Sequence, residues 1–103
     1  DTWWQVDLGE SIAINKIKIW TQTDAGAVVL SDFYIFLSDT PFTSTNLVDT
    51  VSQPGVTSYF ISGSIERLAE VMINQSARYV RIQLKTSNPL SLAEVEVIKN
   101  TGQ

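Results

Sequence analysis

One hundred and three residues, 44% hydrophobic and 17% charged, suit one compact domain and leave no room for a catalytic domain beside a binding one. A net charge of −4, with the seven Lys and Arg scattered along the chain, repels phosphates; it excludes nucleic acid as a partner and argues against an anionic membrane surface. With neither His nor Cys there is no imidazole base, no thiolate and none of the usual zinc ligand set, and cysteine usage is silent on the redox compartment.

Along the chain, short alternating runs of β-branched and aromatic residues are bounded by Gly, Pro, Ser, Asn and Asp, the pattern of an all-β antiparallel sandwich. Strands are predicted at 3–8, 12–20, 31–38, 57–62, 70–73, 78–84 and 92–98. In the first, Trp4 shares a face with Val6 and Leu8 and belongs to the core, whereas Trp3 alternates with Gln5 and Asp7 and is the tryptophan expected to be partly exposed. Gly9-Glu10-Ser11 reads as the turn into the second strand. There the alternation changes phase, since Ile12 and Ile14 share one face while Ile17 and Ile19 fall out of step with them. A bulge near Asn15-Lys16 returns all four to the core.

A long connection follows from Thr21 to Leu30, and Thr40-Pro41, Gln53-Pro54-Gly55 and Ser87-Asn88-Pro89 carry turn chemistry. Ser64 ahead of Ile65-Glu66-Arg67-Leu68 reads as the cap of a short helix. In the strand at 78–84, Val80, Ile82 and Leu84 point inward and Tyr79, Arg81 and Gln83 outward; Val95 and Val97 complete the expected core. Arg78 and Arg81 are expected to form surface pairs, and Asp7 and Asp39, each at a strand end, to accept backbone N–H bonds.

The remaining catalytic option is a pair of carboxylates. Glu94 and Glu96 stand two apart on one strand and point the same way, side by side on a sheet face instead of flanking a substrate, so the chain reads as not an enzyme.

Five segments in order, Trp3-Trp4-Gln5-Val6-Asp7-Leu8-Gly9, Ile17-Lys18-Ile19-Trp20, Leu37-Ser38-Asp39-Thr40-Pro41-Phe42, Arg78-Tyr79-Val80-Arg81-Ile82-Gln83-Leu84 and Leu90-Ser91-Leu92-Ala93-Glu94-Val95-Glu96-Val97, resemble the successive signatures of the discoidin-like, coagulation factor (F5/8) type C family. The resemblance implies a galactose-binding-like jelly-roll β-sandwich over residues 1–98, with 99–103 as the start of a linker. Family members carry a further segment ahead of the double tryptophan, holding the first strand and an Asp-Gly-Asn-type loop. The resemblance thus implies an amino-terminally incomplete domain, with a sheet edge or groove beside 92–98 open to the rest of the parent protein or to a neighbouring chain.

It also implies a non-catalytic carbohydrate-binding or cell-adhesion module, extracellular or at a bacterial cell surface, whose partner is a glycan. The alternative is a spacer or protein-contact domain of the same fold. Its Glu, here Glu94, with the backbone carbonyl of Ala93, would complete a structural calcium site whose other ligands come from the amino-terminal loop. In fucose-binding relatives the long loop reads Arg-x-Asp-Cys-Cys-x-x-Arg-Leu. Here Asp24 and Leu30 persist, but Gln22 and Val29 stand for the arginines and Ala25-Gly26 for the cysteines, so that fucose site is not intact. For a different sugar the candidate ligands are Gln22, Asp24, Thr86 and Asn88, with Tyr59 as the aromatic candidate against its alternative as a packing residue. The loops lack basic residues beside Ala25, Ala27, Val28 and Val29, which argues against a membrane binder.

Overall fold

The apolar alternation is satisfied by folding one antiparallel sheet over on itself. The computed structural model describes residues 3–21, 30–65, 68–85 and 92–99. They form β1 (Trp3–Thr21), β2 (Leu30–Ser38), α1 (Leu47–Ser52), β3 (Thr57–Ile65), β4 (Leu68–Leu84) and β5 (Leu92–Lys99), with strand order β3-β2-β4-β1-β5.

Two strands are far longer than the rest, and each changes partners along its length. The carboxy-terminal part of β4 pairs with β2 on one side and with Trp3–Asp7 of β1 on the other. Its amino-terminal part pairs with Ile12–Trp20 of β1, whose other edge carries β5. One layer is therefore β3, β2 and the adjoining halves of β4 and β1, and the second is the remaining halves with β5. The Tyr59 hydroxyl of β3, 3.2 Å from the Ile73 carbonyl of β4, crosses between strands that are not ladder neighbours and so links the layers.

Between them lie Ile14, Ile17, Ile19, Phe33, Ile35, Leu37, Ile73, Ala77, Val80, Ile82 and Leu84, all buried. Val80, Ile82 and Leu84 are in the core as the alternation requires. Val95 and Val97 are half-buried at its margin, because β5 is an edge strand with no partner on its outer side among the described residues.

Gly9-Glu10-Ser11 is not the chain reversal expected from its turn residues. Asp7 faces Tyr79 and Ile12 faces Ala77, so β1 advances five residues while β4 advances two and the strand continues through a wide bulge. Gly9 supplies the left-handed backbone (φ 87°) that the bulge requires, and its N–H donates to the Asp7 carboxylate at 2.9 Å. The phase change around Asn15 is real. From Ile14 to Lys16 β1 carries one residue more than β5, and opposite it β4 carries one more than β1, with Asn74 in the left-handed region (φ 52°). The two predicted strands at 70–73 and 78–84 are consequently one.

The helix expected from Ser64 is absent where described, since Ser64 and Ile65 pair with Ser31 and Leu30 at the end of β3. A helix forms instead at α1, where the Asn46 side chain caps the Asp49 N–H at 3.2 Å and Asp49 sits favourably in the first turn. Gln53-Pro54-Gly55-Val56 closes a turn with Gly55 at φ 86° and the Val56 N–H donating to the Gln53 carbonyl.

Opposite facings on β4 give a direct test of this register. Ile82→Ala, in the sealed core, is expected to destabilise the fold by about 2–5 kcal/mol, whereas Met72→Ala, 55% exposed, is expected to stay within about 0.5 kcal/mol of the parent in urea denaturation.

Candidate functional site

Two connections, 22–29 and 86–91, leave the described strands from adjoining points. Thr21, where the first departs, pairs with Leu92, where the second arrives. At their other anchors the Lys85 N–H donates to the Asp32 carbonyl at 3.0 Å, close to Leu30. The anchors of both connections thus lie at the same end of the sandwich, one of each pair in either layer. Gln22, Asp24, Thr86 and Asn88 fall within them and lie outside the described residues.

Tyr59 is not at that rim. It pairs with Ile35 in the middle of β2 and its ring packs against the core. Its hydroxyl lies 3.2 Å from the Ile73 carbonyl and 3.1 Å from Gln75 Oε1, while Gln75 Nε2 donates to Thr57 Oγ1. The neighbouring residue, Phe60, is the aromatic that faces outward, against Tyr34 of β2.

The outward side of the first layer departs most from the sequence reading. Arg81 and Gln83 alternate away from the core as expected, yet both are buried, Arg81 to 2% exposure, so Arg81 is no surface pair. Alternation assigns a residue to a face; it does not say whether that face is covered. Here the segment 41–53, including α1, lies across it.

Arg81 Nε donates to Gln5 Oε1 at 3.0 Å, and Nη1 to the Ser44 carbonyl at 2.7 Å and the Thr50 hydroxyl at 3.2 Å. The Thr50 hydroxyl in turn donates to the Asn46 carbonyl at 2.8 Å, and Gln83 Nε2 donates to the Thr45 carbonyl at 2.9 Å. The guanidinium also lies 4.5 Å from the Phe42 ring and 5.0 Å from that of Trp3. Among the described residues no carboxylate pairs with it, and burial lowers its pKa from the ordinary arginine value. Gln53 fastens the segment to itself, its carbonyl oxygen accepting from Thr43 N at 2.9 Å and its amide donating to the Pro41 carbonyl.

The other charged residues are accounted for locally. Arg78 makes two hydrogen bonds to Asp7, at 2.8 and 3.1 Å, and these, with the Gly9 N–H, hold the Asp7 pKa below the usual aspartate value. Ser11 Oγ donates to Asp39 at 2.7 Å, tying the bulge to the end of β2. Lys16 and Lys18 both approach Glu70, at 3.7 and 3.6 Å.

Glu94 and Glu96 are exposed on β5 opposite Trp20 and Lys18, on a sheet face and not across a cleft. A calcium ion needs six to eight oxygens, so Glu94 and the Ala93 carbonyl could be only part of a shell. No group of three acidic side chains gathers among the described residues.

Comparison with known proteins agrees with this architecture. Residues 1–82 match the profile of an F5/8 type C family described as a NedA-like, galactose-binding domain. The chain belongs to that family. Its fold is similar to a fucose binding module of Streptococcus pneumoniae (31% identity, TM-score 0.74, 95% of this chain and 63% of that one). It also resembles a second fucose binding module of the same organism, SpX-3 (29%, 0.75, 96% and 66%), and the lectin domain of lectinolysin complexed with Lewis B antigen (34%, 0.71, 96% and 65%). The chain thus spans just under two thirds of each of these solved chains. No curated protein sequence matches it significantly. Among the described residues no helix is long and apolar enough to cross a membrane.

Two measurements test the polar framework of this family member. Arg81→Ala removes the donor to the part-buried Ser44 carbonyl and the buried Thr50 hydroxyl and is expected to cost on the order of 3 kcal/mol, with faster hydrogen exchange at the Thr50 amide. Arg81→Lys, lacking the planar fork, is expected to recover less than half of it. The Asp7 pair contributes stability above the unfolded aspartate pKa, about 3.9, and loses it as the pH falls through the lower folded value. Asp7→Asn is therefore expected to flatten the acid limb of the stability curve while leaving its slope near neutrality unchanged.

Proposed function

We propose that this domain is a non-catalytic carbohydrate-binding module of an extracellular bacterial protein, recognising a hexopyranose of the galactose or fucose type at the end where the connections 22–29 and 86–91 adjoin. The reading is carried by the likeness to fucose binding modules and a lectin domain over 95–96% of the chain. The adjoining anchors support it, because a shallow sugar site needs hydrogen-bonding side chains from more than one connection converging on one point.

Within those connections Gln22, Asp24, Thr86 and Asn88 supply donors and acceptors suited to ring hydroxyls. The replacement of both loop arginines and both cysteines of fucose-binding relatives by Gln22, Val29 and Ala25-Gly26 removes the groups that would favour fucose over galactose. With few fixed donors, affinity is expected near the millimolar range, about 4 kcal/mol.

Titration of the full chain with L-fucose and D-galactose, followed by backbone amide shifts, is expected to move resonances of 21–30 and 85–92 with no preference for fucose. If neither sugar moves them at tens of millimolar (~5 times the expected dissociation constant or more), the carbohydrate reading fails and a spacer or protein-contact role replaces it.

A further inference from the structure

An aromatic ladder crosses the outward side of the first layer. Tyr79 and Phe42 lie 6.4 Å apart, Phe42 and Phe36 6.4 Å, Phe36 and Tyr34 5.3 Å, and Tyr34 and Phe60 4.8 Å. At Phe36 the ladder is sealed, with no exposure, beneath the segment that Arg81 holds; at Phe60 it emerges, 44% exposed.

Three features meet at the emergent end, where they are open to solvent. The Tyr34 and Phe60 rings form a tilted pair facing outward. The Lys85 ammonium stands 5.7 Å from the Phe60 ring centre, and among the described residues no carboxylate pairs with it. The Tyr34 hydroxyl has no hydrogen-bond partner among the described residues. Lys85 also leads directly into 86–91, and Tyr34 stands two residues, about 7 Å, from Asp32, whose carbonyl fastens Lys85.

We propose that Phe60, Tyr34 and Lys85 form a subsite for a second pyranose ring of a neutral oligosaccharide, extending the site at the adjoining loop end. The proposal rests on the carbohydrate reading above and assigns it an oligosaccharide in place of a single sugar. A partly exposed ring with an ammonium donor over it and a tilted phenol ring against it suits a pyranose, which has one C–H face to stack and hydroxyls around its rim, the flexible Lys85 side chain exchanging the ring for a hydroxyl as the sugar stacks. Two rings offer far less than the roughly 800 Å² per partner of a stable protein interface, and the net charge of −4 disfavours a polyanionic glycan.

The test uses the full chain with L-fucose, D-galactose and the Lewis b oligosaccharide, observing backbone amides and the ring resonances of Phe60 and Tyr34. The oligosaccharide is expected to bind roughly fivefold tighter than either monosaccharide, the gain of one stacked ring, and to shift both sets of ring resonances, which monosaccharides leave in place. Phe60→Ala is expected to remove the gain without changing monosaccharide affinity. Phe60→Leu, which keeps the strand apolar, checks that the effect needs the ring and not the fold.

Unchanged oligosaccharide affinity in both variants, or silent rings in the parent, overturns the subsite. If monosaccharides still move the loop amides, the loop site survives that result. Shifts at Phe60 and Tyr34 with silent loops would instead uphold the subsite and sink the loop reading. No response anywhere removes both.

Discussion

The rest of the structure depends on the ladder between β1 and β4. These strands alone among the described elements reach across both layers, so the layers are held together by continuous backbone and not only by the apolar seam between them. For such a ladder to work, every irregularity must leave the apolar set facing inward, because a slip of one residue exchanges the faces. The bulges do this. The wide one at Gly9 and the paired offsets at Asn15 and Asn74 bend the strands from one layer to the other and keep Ile12, Ile14, Ile17 and Ile19 turned to the same interior.

The second organising feature lies outside that seam. A guanidinium at 2% exposure, with no carboxylate beside it among the described residues, is costly to desolvate. It is retained through carbonyl and hydroxyl acceptors and two aromatic faces. Those acceptors belong to β1 and to the segment 41–53, so one side chain fixes a non-repetitive stretch of chain against the sheet. The outward side of the layer thereby acquires a small core of its own, partly exposed at Phe60 and at Trp3.

Much of the sandwich could be read from the sequence. The positions of β2, β3 and β5, the inward set Val80, Ile82 and Leu84, and the phase change near Asn15 all follow from period-two patterning, which is local and strong. The continuity of β1 did not, because glycine followed by polar residues marks a wide bulge and a reversal alike, and only the partner strand distinguishes them. Helix α1 was missed although Asn46 with Asp49 is a capping signal; no apolar periodicity accompanies it in six residues. The burial of Arg81 and Gln83 depends on a segment packed from elsewhere in the chain, which alternation does not encode. At the site, sequence supplied the connections, whereas the outward Phe60 and the inward Tyr59 are distinguished only by register with β2.

The position of β5 has a mechanical consequence. Among the described residues it is joined to β1 alone, antiparallel, with Leu92 beside Thr21 and Lys99 beside Ile14. A pull on Lys99 that is resisted at Thr21, the opposite end of the paired stretch, loads β5 along its own axis. The hydrogen bonds from Ile14 to Thr21 then share the force in shear and do not open one after another as a zipper. Rupture of this pairing therefore needs several hydrogen bonds to fail together, which makes β5 stiffer against an axial pull than its place at the sheet edge suggests.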